Sequence, residues 1–417
     1  MKSKLTRKIS KVVAIGFGAL ALVLVALLAR ARFLLEKSYA SVPRPRIAAD
    51  TSPAGVARGE LLFQSLCMEC HGGRDGRATG KRLDEVPAFL GTFYSANLAH
   101  PQHGVRNRSD GEIARVLRFG VLPNDRLSPA MSSFGKLGDA DVAAILGYMR
   151  SGAPAFSPAG ADQPPSRVSL LGAAILTYVA GIELDRPVRG IPVPRKAISL
   201  EYGRYMVQTL DCVGCHTESF SSDKMNHAQA FAGGFELTDP TGAKIWTKNI
   251  TFDESTGIGR WSLEDFQRAV TRGVNKDGYL VRKPMPLFAR LDETDVAAIY
   301  EFLRTVPRIR RANIPGGHPL EKARAQDPPE VLFVNVGCAS CHGESGPYRE
   351  KLAGALGKSD ADVASWILDP QSVKKGSPMP SFQHALSRPQ AERLARYVKV
   401  IAQQQVSLHS SGITARR

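Results

Sequence analysis

The chain has 417 residues, of which 43% are hydrophobic and 23% are charged, an ordinary composition for globular protein. Its formal net charge of +16 is accompanied by no nucleic-acid recognition motif, so we expect no nucleic-acid partner. The charge suits an acidic partner or an anionic membrane surface, and equally a solvated basic face. The length exceeds one typical domain and predicts two to four.

The N-terminal segment, residues 1–40, is predicted to be a membrane anchor or an export signal. Residues 12–29 form an uncharged apolar run that is close to bilayer-spanning length and longer than the usual core of a cleaved signal. Basic residues precede it and should stay cytoplasmic, namely Lys2, Lys4, Arg7, Lys8 and Lys11. We favour a retained transmembrane helix in the inner membrane, with the remaining chain in the periplasm. Cleavage after Ser38-Tyr39-Ala40 is the alternative.

All six cysteines fall in three copies of the pattern Cys-x-x-Cys-His, the signature of covalent haem c attachment. The copies are Cys67-Met68-Glu69-Cys70-His71, Cys212-Val213-Gly214-Cys215-His216 and Cys338-Ala339-Ser340-Cys341-His342. In such a motif both thiols bind the haem, and the histidine ligates the iron from one side. The sequence therefore predicts three covalently bound haem c groups and an electron carrier.

Other uses of cysteine fit this pattern less well. A structural zinc site needs four ligands, whereas these pairs lie far apart in the chain. Disulfides in an exported chain would give no reason for a histidine after every second cysteine. A thioredoxin-like redox pair would sit near a βαβ pattern and would not recur.

Three units surround the motifs, and Pro-rich segments separate them. The first unit covers residues 51–152, the second 198–307 and the third 325–404. Residues 153–197 form a linker with an apolar segment, residues 308–324 a second linker, and residues 405–417 a tail.

The first two units are an internal repeat. Residues 131–151 align without gaps with residues 285–305, and Asp141-Val142-Ala143-Ala144-Ile145 matches Asp295-Val296-Ala297-Ala298-Ile299. Apolar residues at helical spacing predict that each copy ends in an amphipathic helix. The third unit is shorter but has the same order of parts. Strand signals are weak throughout, so we predict an all-α architecture.

The repeat also includes Asn97 and Asn249, whose recurrence suggests hydrogen bonds to haem propionates. Between the repeats, residues 168–182 are strongly apolar but too short to span a bilayer comfortably. We favour a helix that packs on the adjoining domains. An interfacial helix or a docking surface for a membrane partner is the alternative.

Methionines at matching positions are the candidates for the sixth iron ligand. They are Met131, Met285 and Met379, each near proline and each before the last helix of its unit. A methionine thioether at this position saturates the iron and raises its potential. Histidines at unrepeated positions are the competing ligands: His100 and His103 for the first haem, His227 for the second and His384 for the third. Gap filling in the core is the other use of Met.

Residues 201–307 resemble the central domain of the triheme cytochrome c subunits of bacterial membrane-bound alcohol, gluconate and fructose dehydrogenases. The resemblance rests on Asp211-Cys212-Val213-Gly214-Cys215-His216-Thr217, Phe231-Ala232-Gly233-Gly234, Asn249-Ile250-Thr251, Thr256-Gly257-Ile258-Gly259-Arg260-Trp261 and Pro284-Met285-Pro286. The first unit looks like a diverged copy, with Arg106-Asn107-Arg108 where the second has Gly259-Arg260-Trp261, and the third resembles a generic small cytochrome c.

This resemblance implies three tandem cytochrome c domains that take electrons from a separate dehydrogenase subunit and pass them to quinone or another acceptor. It implies the three motifs and the three methionines as haem-binding residues. Family members usually attach to the membrane through their C-terminal part, whereas this chain has an N-terminal apolar segment. The alternatives are a donor to a terminal oxidase, a component of another respiratory complex, and a peroxidase-type enzyme with one open iron.

Overall fold

The computed structural model describes residues 2–73, 76–129, 131, 134–182, 184–221, 223–239, 242–317, 320–344, 346 and 348–410. Helix is the main regular structure of these residues, as the sequence predicts. The α-helices before residue 200 are α1 Lys2–Glu36, α2 Pro53–Leu66, α3 Met68–His71, α4 Asp110–Phe119, α5 Asp139–Arg150 and α6 Leu170–Ala174. Those after it are α7 Leu200–Thr209, α8 Cys212–Cys215, α9 Leu263–Arg272, α10 Glu293–Thr305, α11 Pro329–Asn335, α12 Ala339–His342, α13 Asp360–Leu368, α14 Pro370–Val373 and α15 Arg388–Ser410.

Two small antiparallel sheets accompany the helices. Strand β1, Gly91–Thr92, pairs with β2, Arg167–Val168, and strand β3, Glu236–Thr238, pairs with β4, Lys244–Trp246. Strands of two or three residues are too short to produce a readable alternation in the sequence. They hold loops of the first and second units in place rather than forming a core of their own.

Helix α1 is long and apolar enough, over Lys11–Glu36, to cross a membrane by length and composition. Its apolar side chains are exposed over residues 12–27, for example Val23 with 55% of its surface accessible. The C-terminal part of the helix contacts the rest of the chain, and Ala31 there is fully buried. This arrangement agrees with the expected membrane anchoring.

The first and second units use the same helix crossing. In the first, α2 packs against α5, and Gly59 lies directly against the backbone carbonyl of Ala144. In the second, α7 packs against α10, and Gly203 lies in the same way against Ala298. A Cβ atom at either glycine would collide with the facing helix. The sequence repeat is therefore also a structural repeat.

A further helix lies between the two packed helices of each unit in the chain, α4 in the first unit and α9 in the second, and these two helices are also equivalent. Helix α4 begins with a capping box between Ser109 and Glu112, and α9 begins with one between Ser262 and Asp265. Both end at a glycine in the left-handed region, Gly120 with φ 68° and Gly273 with φ 73°. The caps explain why both helices are ten residues long despite different sequences.

The first two units share one continuous hydrophobic core, which includes Leu62 and Ile145 from the first and Met206 and Leu303 from the second. Polar contacts also join them. Tyr205 donates a hydrogen bond to Asp141 at 2.6 Å, and Arg58 forms an ion pair with the same carboxylate at 2.8 Å. Because Asp141 is almost fully buried, both partners are needed to compensate its charge.

The third unit has its own core, formed by α11, α13 and α15 around Leu332 and Leu394. It meets the second unit at the end of α9. There Arg272 pairs with Asp369 at 2.8 Å, and the Arg272 carbonyl accepts a hydrogen bond from the Ser381 amide at 2.9 Å. This contact brings the Met379 loop of the third unit against the second unit.

Candidate functional site

Each Cys-x-x-Cys-His motif folds as a short helix directly after the first helix of its unit. The motifs occupy α3, α8 and α12 with their flanking residues. All six cysteines are described, and all are free thiols rather than disulfides. Burial raises the pKa of Cys67, Cys212 and Cys338 to about 12, so these thiols are neutral at pH 7. Among the described residues, no motif cysteine belongs to a cluster of three metal-binding side chains.

The motif histidines are all oriented by a backbone carbonyl. Nδ1 lies 2.8 Å from the Ala96 oxygen in His71, 2.7 Å from the Lys248 oxygen in His216 and 2.9 Å from the Tyr348 oxygen in His342. A carbonyl can only accept, so Nδ1 carries the proton and Nε2 keeps its lone pair for a metal. Burial lowers the pKa of each ring, although the carbonyl opposes the shift, so the rings are neutral near pH 7.

Ala96 and Lys248 occupy the same position of the repeat, one residue before Asn97 and Asn249. The recurrence of this stretch is therefore explained by the loop that fixes the histidine ring. The asparagines themselves differ from the sequence hypothesis. The Asn97 side chain donates to the Ala159 carbonyl at 2.8 Å and accepts from the Ala99 amide at 2.9 Å. Asn249 is used in the same way, donating to the Ile309 carbonyl at 2.7 Å. Both side chains hold loops together instead of reaching for propionates.

Sequence reasoning also missed a pair of glycines beneath these loops. The amide of Gly80 donates to the His71 carbonyl at 2.9 Å, and that of Gly233 donates to the His216 carbonyl at 2.8 Å. Both have positive φ, 71° and 72°, and both lie against the backbone of the histidine-fixing loop. Only glycine fits such a position without strain. The adjacent glycines Gly233 and Gly234 are the only hint of this turn in the sequence of the second unit, and the sequence alone does not show their role.

One large cavity connects the first two motifs. It has a volume of about 2190 Å³ and extends along the shared core of the first two units. Its walls include Cys67, Cys70, His71 and Met131 of the first unit, and Cys212, Cys215, His216 and Met285 of the second. A site for one drug-sized ligand usually measures roughly 300–1,000 Å³, so this cavity has room for more than one large group.

The three candidate methionines lie on loops that are fixed in the same way. Three residues after each methionine is a phenylalanine whose backbone amide donates to a carbonyl near the end of an earlier helix of the same unit, namely α4, α9 or α13. The pairs are Phe134 to Leu117 at 2.7 Å, Phe288 to Val270 at 2.9 Å, and Phe382 to Leu368 at 3.0 Å. Met131 and Met285 contact the shared core, and Met379 packs with Cys338 against the core of the third unit. The three loops are thus structurally equivalent.

The competing histidines lie elsewhere or are already engaged. Nδ1 of His100 accepts the backbone amides of Gln102 and His103, which leaves its proton on Nε2 and no lone pair for iron. His103 is exposed at the cavity rim, and its Nδ1 lies 2.9 Å from Asp162. His227 accepts the Gln229 amide through Nδ1, and His384 is exposed. These contacts weaken the bis-histidine alternative.

The sequence analysis did not identify the charged side chains that lie close to the motifs. Glu69, inside the first motif, pairs with Lys283 of the second-unit methionine loop at 2.7 Å. Burial alone would lower the pKa of Lys283, but the Glu69 carboxylate outweighs it and the pKa is raised.

Burial raises the pKa of Asp211 to about 6, although Lys224 opposes the shift. Asp211 lies on the cavity wall beside the second motif.

Comparison with known proteins identifies the first unit. Residues 54–149 match the family model of cytochrome c oxidase, cbb3-type, subunit III. A cytochrome c domain is present. It implies covalently bound haem c, and the first site fits this group because two neutral thiols, a histidine whose Nε2 lone pair is available, and a methionine all line the same cavity.

Curated relatives point in the same direction. The chain is 41% identical over 105 residues to the cytochrome c subunit of a quinone alcohol dehydrogenase from Gluconobacter oxydans (strain 621H), which is 25% of this chain and 20% of that protein. It is 38% identical over 114 residues to a gluconate 2-dehydrogenase cytochrome c subunit from Pantoea cypripedii, 27% and 24% of the two chains. It is 32% identical over 122 residues to a fructose dehydrogenase cytochrome subunit from Gluconobacter japonicus, 29% and 24%. The alignments thus span a fifth to a quarter of each relative.

Proposed function

We propose that this chain is a membrane-anchored triheme c-type cytochrome that relays electrons as a subunit of a membrane dehydrogenase complex. The observation that carries the proposal is the recurrence, in three units, of a Cys-x-x-Cys-His helix whose histidine is held by a backbone carbonyl. When bound, haem c supplies a one-electron redox change, while the protein attaches, orients and tunes it.

Each type of residue at a matched position has the same proposed role in all three units. The thiols of Cys67, Cys70, Cys212, Cys215, Cys338 and Cys341 would hold the cofactors, and His71, His216 and His342 would offer Nε2 to the iron. Met131, Met285 and Met379 would offer a thioether sulfur as the other ligand. A methionine available at each site would suit an electron carrier better than a peroxidase, which needs one open position on its iron.

Contacts between the motifs support a relay rather than three independent carriers. The first two motifs line one cavity, and Lys283, which pairs with Glu69 of the first motif, lines a second, smaller cavity together with Cys341 of the third. Lys283 lies within electrostatic reach of both Glu69 and Cys341. The three attachment sites therefore converge on one region of the molecule.

The relatives with dehydrogenase names suggest the electron donor, namely a separate dehydrogenase catalytic subunit.

The cavity suggests how an electron acceptor approaches the first two units. Its wall extends to Arg32 and Leu35 at the end of α1, and to Leu176 and Ala180 of the adjoining apolar helix. A lipophilic quinone in the membrane would meet this end first. With α1 in the inner membrane, the basic N-terminal residues would remain cytoplasmic and the haem units would lie in the periplasm.

Mild-detergent purification of the full chain from its native membrane tests the donor. We expect a dehydrogenase catalytic subunit to co-purify, and its substrate to reduce the haem absorption bands. The family match of residues 54–149 favours a second candidate, a component of a terminal oxidase. Co-purification of an oxidase without any dehydrogenase would reject our preferred partner and support that candidate.

A further inference from the structure

The apolar segment between the first two units forms a continuous helix over Leu170–Ala180, hereafter the 170–180 helix. Its first part is α6, and residues Ile175–Ala180 continue it with π-helical hydrogen bonding. The helix contains no charged side chain, and it packs along the C-terminal part of α1. We propose that the 170–180 helix lies in the interfacial zone of the lipid bilayer that α1 crosses, an inference that rests on the proposed membrane anchor.

The contacts with α1 fix the depth of the helix. The Tyr178 hydroxyl donates to the Leu27 carbonyl at 2.8 Å, just before the apolar run of α1 ends. The Arg30 guanidinium lies over the Tyr178 ring at 5.8 Å, and Arg32 donates to the Val168 carbonyl at 3.1 Å. Tyrosine and arginine in this order are typical of the boundary between hydrocarbon and headgroups. The helix therefore lies at the level where α1 leaves the apolar core.

The exposed face of the helix is apolar. Leu170, Leu171 and Val179 are 61%, 56% and 52% exposed, and Phe89 beside them is 50% exposed. At 1.5 Å per residue a helix of this length spans roughly 16 Å, about half of the hydrocarbon thickness, so it cannot cross the bilayer. An apolar face of this kind next to a spanning helix is best covered by lipid, as in monotopic proteins.

The helix is also fixed rigidly to the first unit. Ser169 caps it, donates its amide to the Leu90 carbonyl at 3.0 Å and its hydroxyl to the Phe89 carbonyl at 2.6 Å. Gly172 lies so close to the Leu90 carbonyl that a Cβ would collide with it. The first unit is thus held to the membrane at two points, α1 and the 170–180 helix. This double attachment would keep the cavity wall at Leu176 and Ala180 facing the membrane surface.

Spin-label accessibility in the full chain tests the proposal. Leu171→Cys and Val179→Cys variants, each with a nitroxide label, are reconstituted in phosphatidylcholine–phosphatidylglycerol vesicles. Collisions are measured with oxygen, which concentrates in lipid, and with a water-soluble nickel chelate. Val23→Cys in α1 and Val400→Cys in α15 are controls with similar exposure, 55% and 49%. The unsubstituted chain reports any labelling of the native cysteines.

We expect the labels at Leu171 and Val179 to favour oxygen over the chelate at least threefold more than the Val400 label, and less than the Val23 label. Values equal to Val400 would overturn the proposal while leaving the anchor intact. Protection from both reagents would show that a protein covers the helix, and would also overturn it. If the Val23 label is itself open to the chelate, the membrane anchor fails, and this inference fails with it.

Discussion

Glu69 and Lys283 form an ion pair with 2.7 Å between Oε2 and Nζ, and the side chains are only 23% and 14% exposed. One partner belongs to the first Cys-x-x-Cys-His motif, and the other is two residues before Met285. The pair therefore joins the attachment site of one unit to the methionine loop of the next. Its position makes the geometry of the two sites interdependent.

Replacing Lys283 by Gln should destabilise the fold by about 2 kcal/mol, because it leaves Glu69 in a largely buried place without its counter-charge. The matched control is Lys244→Gln, which removes an equally short pair with Glu236 at 2.8 Å that is 66% and 42% exposed. Screening by water makes that pair nearly neutral for stability. Chemical denaturation followed by circular dichroism measures both. The double variant Glu69→Gln/Lys283→Gln should recover most of the loss, and no recovery would refute the assigned coupling.

The glycines below the histidine-fixing loops give a second prediction. Gly80→Ala or Gly233→Ala combines positive-φ strain with a backbone collision, so we expect a loss of about 3 kcal/mol from each. Gly152→Ala is the control, since Gly152 has φ +76° but no atom within 4 Å of the added Cβ. It should cost only about 1 kcal/mol. If thermal unfolding shows an equal loss of stability in all three variants, the close approach of the backbone does not contribute to the cost of the substitution.

The sixth ligands are tested by replacing each methionine with leucine in turn. Met131→Leu, Met285→Leu and Met379→Leu should each lower one midpoint potential, by up to a few tenths of a volt, and leave the covalent haem count unchanged. Met206→Leu is the control, because Met206 is fully buried in the shared core. Redox titration by visible absorption gives the potentials. Three variants with the potentials of the unsubstituted chain would sink the assignment.

Asp211 predicts a pH dependence of the second site. Its pKa is raised to about 6 by burial, so it ionises as pH rises through that value. A new negative charge on the cavity wall stabilises the oxidised, more positive form of a nearby haem, and the potential should fall between about pH 5 and 7. Asp211→Asn cannot ionise and should flatten this slope. A potentiometric titration that shows the same slope in both proteins would exclude Asp211 as its source.

How far the sequence predicts this molecule depends on whether a feature repeats. The motifs, the methionine loops and the last helix of each unit were predictable because they recur at matched positions. The hydrogen-bond acceptors of His71 and His216 were not predictable. They are the backbone carbonyls of Ala96 and Lys248, and every residue carries such a carbonyl whatever its side chain. The same recurrence led to Asn97 and Asn249 being interpreted as propionate ligands, although they hold loops.

Features that occur once were beyond sequence reasoning. Glu69 and Lys283 are 214 positions apart, and neither has a counterpart in another unit. The apolar segment was recognisable as a helix, but its contact with α1 depends on the fold of the loop around Leu90. The merging of two cores into one likewise follows from tertiary packing and leaves no periodic signal.

The mass of the intact, denatured full chain, expressed in a host with a complete system for export and haem attachment, tests the central claim most directly. Thioether-bound haem survives denaturation, whereas haem held only by iron ligands dissociates. We predict a mass equal to the polypeptide plus three haem groups, and plus two when Cys338 and Cys341 are both replaced by Ala. A mass with fewer than three haems in the unsubstituted chain would contradict the account of a three-haem relay.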